Sequence, residues 1–320
     1  MRILYFGDAS WGATALRQLI ANGREIIGVV LRVKPTDDEL SLAAKALGLP
    51  VFQPQRCNSL DFLDVIRSLQ PDLNLSVSYD QILRQPILDT APLGFVNFHA
   101  GKLPCYRGRS VLNWTLINGE KEIGLTAHFV DQGIDTGDIL IQRTLPVFWE
   151  DNYQTLLDRV VPEFPKLVVD TVELISSGNY EQRKQSHLLG SYFSQRGPGD
   201  EWIDWNASSH RIYNKIRGIS EPGPGARTFL GDREIILWRA SYEPDWPIYE
   251  ATPGVVVGVD PGRGVRIKTG DSTVLLHKVE FADQPGQREV PSFRIGTRLG
   301  INLEQRIRDL ESQVSEIRKN

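Results

Sequence analysis

The sequence predicts an α/β protein: an open, mostly parallel sheet, followed by a smaller β unit and a terminal helix. Three observations predict it. Short apolar strand patterns alternate with helical patterns through the first half of the chain. Past Gly199 the pattern changes to short strands punctuated by turns. Near the end, Leu303, Ile307, Leu310, Val314 and Ile317 recur at alternating spacings of four and three, which is a heptad seam.

The elements follow in order. Ile3 to Phe6 is an apolar strand, the turn G-D-A-S-W-G follows it, and T-A-L-R-Q-L-I opens a helix. Glu25 to Leu31 is a second buried strand, Asp37 to Leu47 a helix, and P-V-F-Q-P a strand fragment. L-D-F-L-D-V-I-R-S-L is an amphipathic helix. L-N-L-S-V-S-Y and G-F-V-N-F-H are the next strands, and Ser110 to Asn118 is a helix. Ile123 to Val130 and Asp138 to Phe148 read as an antiparallel edge. Tyr153 to Ile175 is helical, with Pro162 and Pro165 forcing a break or kink. Gly190 to Gly199 is a connector, and W-I-D-W-N-A-S-S-H carries a cap signal before another helix. E-P-G-P-G-A-R-T-F is a rigid turn. R-E-I-I-L-W-R-A, G-V-V-V-G-V, G-V-R-I-K-T and S-T-V-L-L-H-K-V complete a small barrel or sandwich. Alternating strands and helices give the first part a Rossmann-like sheet, whose ligands belong beyond the carboxyl ends of the strands.

The chain has 320 residues and a formal net charge of -4. It is long enough for two domains with real cores; the expected division is 1–195, 196–300 and a helix at 301–320. The charge predicts no bulk attraction to nucleic acid or to anionic membrane. Two cysteines, Cys57 and Cys105, make neither a disulfide framework nor a four-ligand zinc site, and no metal is expected. The opening M-R-I-L-Y-F-G-D turns polar too soon for a signal peptide, and no run reaches a membrane span. A cytoplasmic protein is expected. The terminal seam either docks on its own domain or pairs two subunits as a homodimer.

The most informative stretch is V-N-F-H-A-G-K-L-P-C-Y-R-G-R, Val96 to Arg109. On a strand, Asn97 and His99 project from one face, because side chains alternate. Further on, Q-G-I-D-T-G-D places Asp135 between two glycine turns. An amide donor, an imidazole and a carboxylate to orient it would serve acyl transfer without a nucleophile from the protein. The order and spacing of N-x-H, L-P-x-Y-R-G and G-x-D-T-G-D resemble the folate-dependent formyltransferase family. That family includes methionyl-tRNA formyltransferase, the formyltransferase half of the lipid A arabinosamine enzyme, and the sugar-nucleotide N-formyltransferases. The resemblance implies that Asn97, His99 and Asp135 form the catalytic triad, and spacing leaves open whether His99 or Asp135 is the base. It implies 10-formyltetrahydrofolate as formyl donor, held near Ser78, Tyr79, Ile82, Leu83 and Asp131. It also implies an OB-like C-terminal domain. One departure is visible: many relatives have Ser two residues after the histidine, where this chain has Gly101.

Other motifs bear on the acceptor. G-D-A-S-W-G is neither a phosphate loop nor a dinucleotide fingerprint, and the second strand ends in V-V-L-R without the acidic residue a nicotinamide ribose needs. The turn can still hold a phosphate through its backbone and Ser10. Trp11 is either a stacking surface or a lid over the core. Lys102, Arg107 and Arg109 form a basic cluster that suits an anionic acceptor such as a diphosphate, with Arg107 first and Lys102 second. The remaining histidines, including His128, show no ligand spacing and receive no role. Within the resemblance two acceptors compete. The tRNA enzymes resemble one another in a long basic loop after the second strand; here that place reads L-R-V-K-P-T-D-D-E-L, short and mixed in charge. This favours a nucleotide-linked amino sugar, a dTDP-amino-dideoxyhexose of surface polysaccharide synthesis such as lipopolysaccharide or O-antigen, with methionyl-tRNA as the alternative. A 10-formyltetrahydrofolate hydrolase, or a folate-binding protein without catalysis, is the further alternative.

Overall fold

The computed structural model describes residues 1–301 and, beyond them, residues 307, 308, 310, 311, 314 and 315. The chain forms two compact units. The first holds Met1–Trp114, Lys121–Trp149 and Thr155–Gln195, and the second holds Thr115–Glu120, Glu150–Gln154 and the described residues from Arg196 onward. The two short excursions into the second unit carry no mark in the sequence pattern.

The elements run β1 (Arg2–Gly7), α1 (Ala9–Ala21), β2 (Glu25–Leu31), α2 (Glu39–Ala46), β3 (Val51–Phe52), α3 (Leu60–Leu69) and β4 (Leu73–Val77). There follow α4 (Gln85–Leu88), β5 (Phe95–His99), β6 (Arg107–Gly108), α5 (Val111–Ile117), β7 (Glu122–Phe129) and β8 (Ile139–Pro146). Then come α6 (Tyr153–Val160), α7 (Glu163–Ser177) and β9 (Tyr192–Phe193). The helical run expected over 153–175 is two helices. Pro162 sits in the break, whereas Pro165 lies in the first turn of α7, where a missing N–H costs nothing.

The first unit's sheet has the order β3-β2-β1-β4-β5-β7-β8. β3 to β5 are parallel, and β7 and β8 add an antiparallel edge. Alternation along β1 shows how both faces are covered. Leu4 and Phe6 pack with Phe62, Leu63 and Ile66 of α3. Tyr5 points the other way, and its hydroxyl donates to the Gly12 carbonyl of α1 at 2.8 Å. Burying each of these apolar side chains contributes about 2 kcal/mol. Ser59 caps α3 by accepting from the Phe62 N–H. The carboxyl ends of the parallel strands therefore open between helical layers, and Gly7, Val77 and His99 are their last residues.

The second unit contains α8 (Ser209–Ile219), β10 (Ala226–Leu230), β11 (Arg233–Ser241), β12 (Val256–Asp260), β13 (Gly264–Lys268), β14 (Thr273–Phe281) and β15 (Arg288–Glu289). Its antiparallel sheet has the order β10-β11-β14-β13-β12, with β15 on β14. One segment meets both edges: Leu299 bridges to Leu230 and Arg298 to Val255. The sheet therefore curls toward closure. Ile212, Ile216 and Ile219 of α8 join Leu237, Ile267, Val274 and Leu276 in its core. The expected rigid turn E-P-G-P-G-A-R-T-F gives way to strand already at Ala226. Of the terminal seam, Leu303 and Ile317 lie outside the described residues. Ile307, Leu310 and Val314 have helical backbone and are about half exposed. No described helix is long and apolar enough to cross a membrane.

Candidate functional site

β5 pairs with β7 so that Asn97 lies opposite His128 and His99 opposite Thr126. Alternation sends all four side chains to one face, at the carboxyl end of the sheet. Asp135 reaches them from the loop between β7 and β8. It holds a left-handed backbone at φ 53°, a conformation uncommon outside glycine but tolerated by aspartate. Its Oδ1 accepts from Asn97 Nδ2 at 3.4 Å, and its Oδ2 accepts from the Gly108 N–H at 2.8 Å. His99 Nδ1 lies 3.6 Å from Oδ2. Asn97 and His99 thus both approach the Asp135 carboxylate, one at each oxygen.

The tautomers follow from the partners. His99 Nε2 lies 2.6 Å from the Tyr106 carbonyl. A carbonyl only accepts, so Nε2 carries a hydrogen. His128 Nδ1 likewise donates to the Phe129 carbonyl at 2.7 Å. Its Nε2 faces Asn97 Nδ2 at 3.2 Å and Asp135 Oδ1 at 3.4 Å. Burial by itself would raise the Asp135 pKa. The nearby His99 and His128, with hydrogen bonds from His128 and the Gly108 N–H, outweigh it and hold the carboxyl well below the usual carboxylate range.

Gly101, the departure from the family pattern, has a steric cause here. A Cβ at this position would lie 2.4 Å from both His99 Nε2 and the Tyr106 carbonyl, in the path of their hydrogen bond. The surrounding loop is pinned to the antiparallel edge. Thr126 Oγ1 donates to the Gly101 carbonyl at 2.7 Å, and Gln142 Nε2 to the Leu103 carbonyl at 2.8 Å.

The residues expected to hold the donor divide in two. Leu83 is buried in the core behind the sheet, where Tyr79 also packs, edge-on to Phe6. These two support the segment. Ile82 is 62% exposed, and Ser78 turns the chain out of β4 with φ 64°. The Asp131 carboxylate is occupied within its own loop by the Gly133 N–H and the Thr136 hydroxyl. That loop lies against the segment after β4 through a Gln132–Gln85 bond of 3.2 Å, and it exposes Ile134. Ile82 and Ile134 are thus exposed apolar side chains on two segments that one hydrogen bond joins.

The structure corrects the expectations for the acceptor. Arg107 is fully buried, and its guanidinium is spent on Gln185 and the Tyr192 hydroxyl. It is structural, and no diphosphate reaches it in this arrangement. Lys102 is half exposed but paired with Glu122. Arg109 donates to the Asp80 carbonyl and to Gln195. The three cations diverge, each with a partner. At the start of α1, Ser10 is exposed; Asp8 is the N-cap residue, but its buried carboxylate makes no cap hydrogen bond and turns instead to Thr36 and to Arg32 at 3.1 Å. Trp11 packs on Phe164 with ring centroids 5.2 Å apart, which favours its reading as a core lid. Cys105 donates weakly to the Leu189 carbonyl, consistent with packing. His128 is the residue that sequence reasoning missed. The available signal was alternation: it sits two positions after Thr126 in a strand whose alternate residues face β5's polar pair. No group of three or more His, Cys, Asp or Glu suited to a metal occurs among the described residues.

Comparison with known proteins adds ancestry to this geometry. The Formyl transferase family matches residues 1–172, and the Formyl transferase C-terminal domain matches residues 197–288. A methionyl-tRNA formyltransferase of Geobacter sulfurreducens is 33% identical over 317 residues, covering 94% of this chain and 97% of its own. Its counterpart from Syntrophus aciditrophicus is 33% identical over 307 residues, covering 93% and 96%. Among solved structures, WlaRD, a sugar 3N-formyl transferase in the presence of dTDP and 5-N-formyl-THF, superposes with a TM-score of 0.67 at 19% identity. It covers 89% of this chain and 98% of its own. The N-formyltransferase from Helicobacter canadensis, in complex with folinic acid and dTDP-3-aminofucose, gives 0.67 at 19%, covering 86% and 98%.

Proposed function

This chain belongs to the formyl transferase family, and on that premise we propose that it moves the formyl group of 10-formyltetrahydrofolate onto the primary amine of a nucleotide-linked amino sugar. The observation that carries the reaction is the convergence of Asn97, His99 and Asp135 at the end of β5. We assign catalysis to residues 1–195 and read residues 196–300 as the accompanying C-terminal domain. We assign the donor's pterin to the segment after β4, where Ser78 and the exposed Ile82 lie.

When bound, the donor supplies an activated formyl carbon. Asn97 Nδ2 carries two hydrogens, and turning one from Asp135 to the formyl oxygen stabilises that oxygen as it gains charge. Losing one such donor typically costs about 3 kcal/mol of barrier. His99 Nε2–H is held by the Tyr106 carbonyl, so Nδ1, beside Asp135, is the nitrogen that takes a proton from the attacking amine, and that proton passes to the folate nitrogen as its bond to the formyl carbon breaks. Asp135, ionised, orients that imidazole or relays the proton. Neither a nucleophile from the protein nor a metal enters this scheme.

The sugar acceptor is supported by the loop between β2 and α2. It spans only residues 32–38, and of its two cations Arg32 is already paired with Asp8. Little positive charge is left there for a phosphate backbone. Methionyl-tRNA is the second reading, favoured by relatives of that name aligned along almost the whole chain. The triad is tested with His99→Asn and Asp135→Asn, each expected to abolish turnover while circular dichroism stays native. Near-wild-type rates in either variant would remove that residue from the mechanism.

A further inference from the structure

Gln185 falls between the two family matches, in the segment that returns from α7 toward β9. It is a buried amide whose hydrogen-bonding capacity is fully used. Nε2 donates to the carbonyls of Asp135 at 2.9 Å and Gly137 at 2.7 Å. Oε1 accepts from Arg107 Nε at 3.2 Å and Nη2 at 2.8 Å. Arg107 is itself anchored by the Tyr192 hydroxyl at 3.1 Å, with its guanidinium 5.2 Å from the centre of that ring. The next residue, Gly108, gives its N–H to the Asp135 carboxylate. Asp135 is thus gripped twice, at its main chain through Gln185 and at its side chain through Gly108, and both grips lead to Arg107–Gly108. Its backbone is left-handed, a conformation uncommon for a residue with a Cβ, and these bonds hold it there.

We propose that Gln185 is a positioning residue for formyl transfer, fixing the Asp135 carboxylate against His99 and Asn97 by clamping the Asp135 main chain to Arg107. The proposal rests on the reading of Asp135 as part of the reaction. Without the amide, two buried carbonyls lose their donor and the loop relaxes. A displacement of about 1 Å at a reacting group is enough to cost on the order of a hundredfold in rate.

The test uses the full chain with Gln185→Met, which keeps the side-chain length and drops the amide. Gln185→Glu, which keeps the acceptor for Arg107 and loses both donors, carries the same comparison should the first variant not fold. With 10-formyltetrahydrofolate and dTDP-3-aminofucose as substrates, kcat is expected to fall roughly 10- to 100-fold, the usual range for a residue supporting a reacting group, while both KM values hold. A readout independent of the acceptor is the 15N spectrum of the histidines. The His99 signals are expected to move toward those of Asp135→Asn. Unmoved His99 signals, or an effect confined to KM, would overturn the proposal and leave the triad standing. An active Asp135→Asn enzyme would instead remove the triad reading itself.

Discussion

Asp135 is where charge decides most in this site. Two histidines and the Gly108 N–H hold its carboxyl below the usual range against the opposing effect of burial. Its folded value therefore lies under the unfolded value of about 3.9. The sign follows from linkage: the stability it contributes is complete above pH ~3.9 and is lost as pH falls through the folded value. The prediction is that the Asp135 carboxyl 13C signal stays constant from pH 7 down to pH 4. A midpoint between 4 and 5 would show that the histidine contacts are absent in solution. That Asn97, His99 and Asp135 lie close together could be expected from a period of two and from the order of motifs, which resembles that of the family. Arg107 was misread for a physical reason. A cation in a Gly/Pro turn looks solvated or ligand-binding unless its partner is known, and Gln185 lies 78 positions away.

The antiparallel edge is the element that holds the site's loop. Thr126 of β7 is fully buried, and its hydroxyl links the Gly101 carbonyl to Gln142 of β8. Thr126→Val keeps the shape and strands that carbonyl. A buried acceptor left unpaired costs about 1–3 kcal/mol, so the urea midpoint is expected to fall with the slope unchanged. An unaltered midpoint would mean that water or another donor replaces the hydroxyl. Most elements were readable from pattern alone: the buried strands, the amphipathic α3 with its Ser59 cap, and the helix break at Pro162. β10 was not, because its first residues follow a Pro-Gly run that reads as turn. Its strand character comes from pairing with β11, which is a tertiary fact. β6 and β9 are two residues each and pair with one another across the chain, so no local period marks them.

At the scale of the molecule, the change from alternating elements to closely spaced strands near Gly199 announced a second unit. The excursions at 115–120 and 150–154 could not be announced, because they depend on chain packing rather than on local pattern. The acceptor is likewise a property of the whole molecule. It depends on what remains of the positive charge after the folded chain has paired it, and Arg32, Lys102, Arg107 and Arg109 are all engaged. The most direct measurement is mass spectrometry of the products when the purified chain and 10-formyltetrahydrofolate meet a mixture of thymidine, uridine and guanosine diphosphate amino sugars and methionyl-tRNA. The account predicts one amino-sugar nucleotide heavier by one carbon and one oxygen, and no such product with His99→Asn. Formyl-methionyl-tRNA as the sole product, or formate released with every acceptor unchanged, would contradict it.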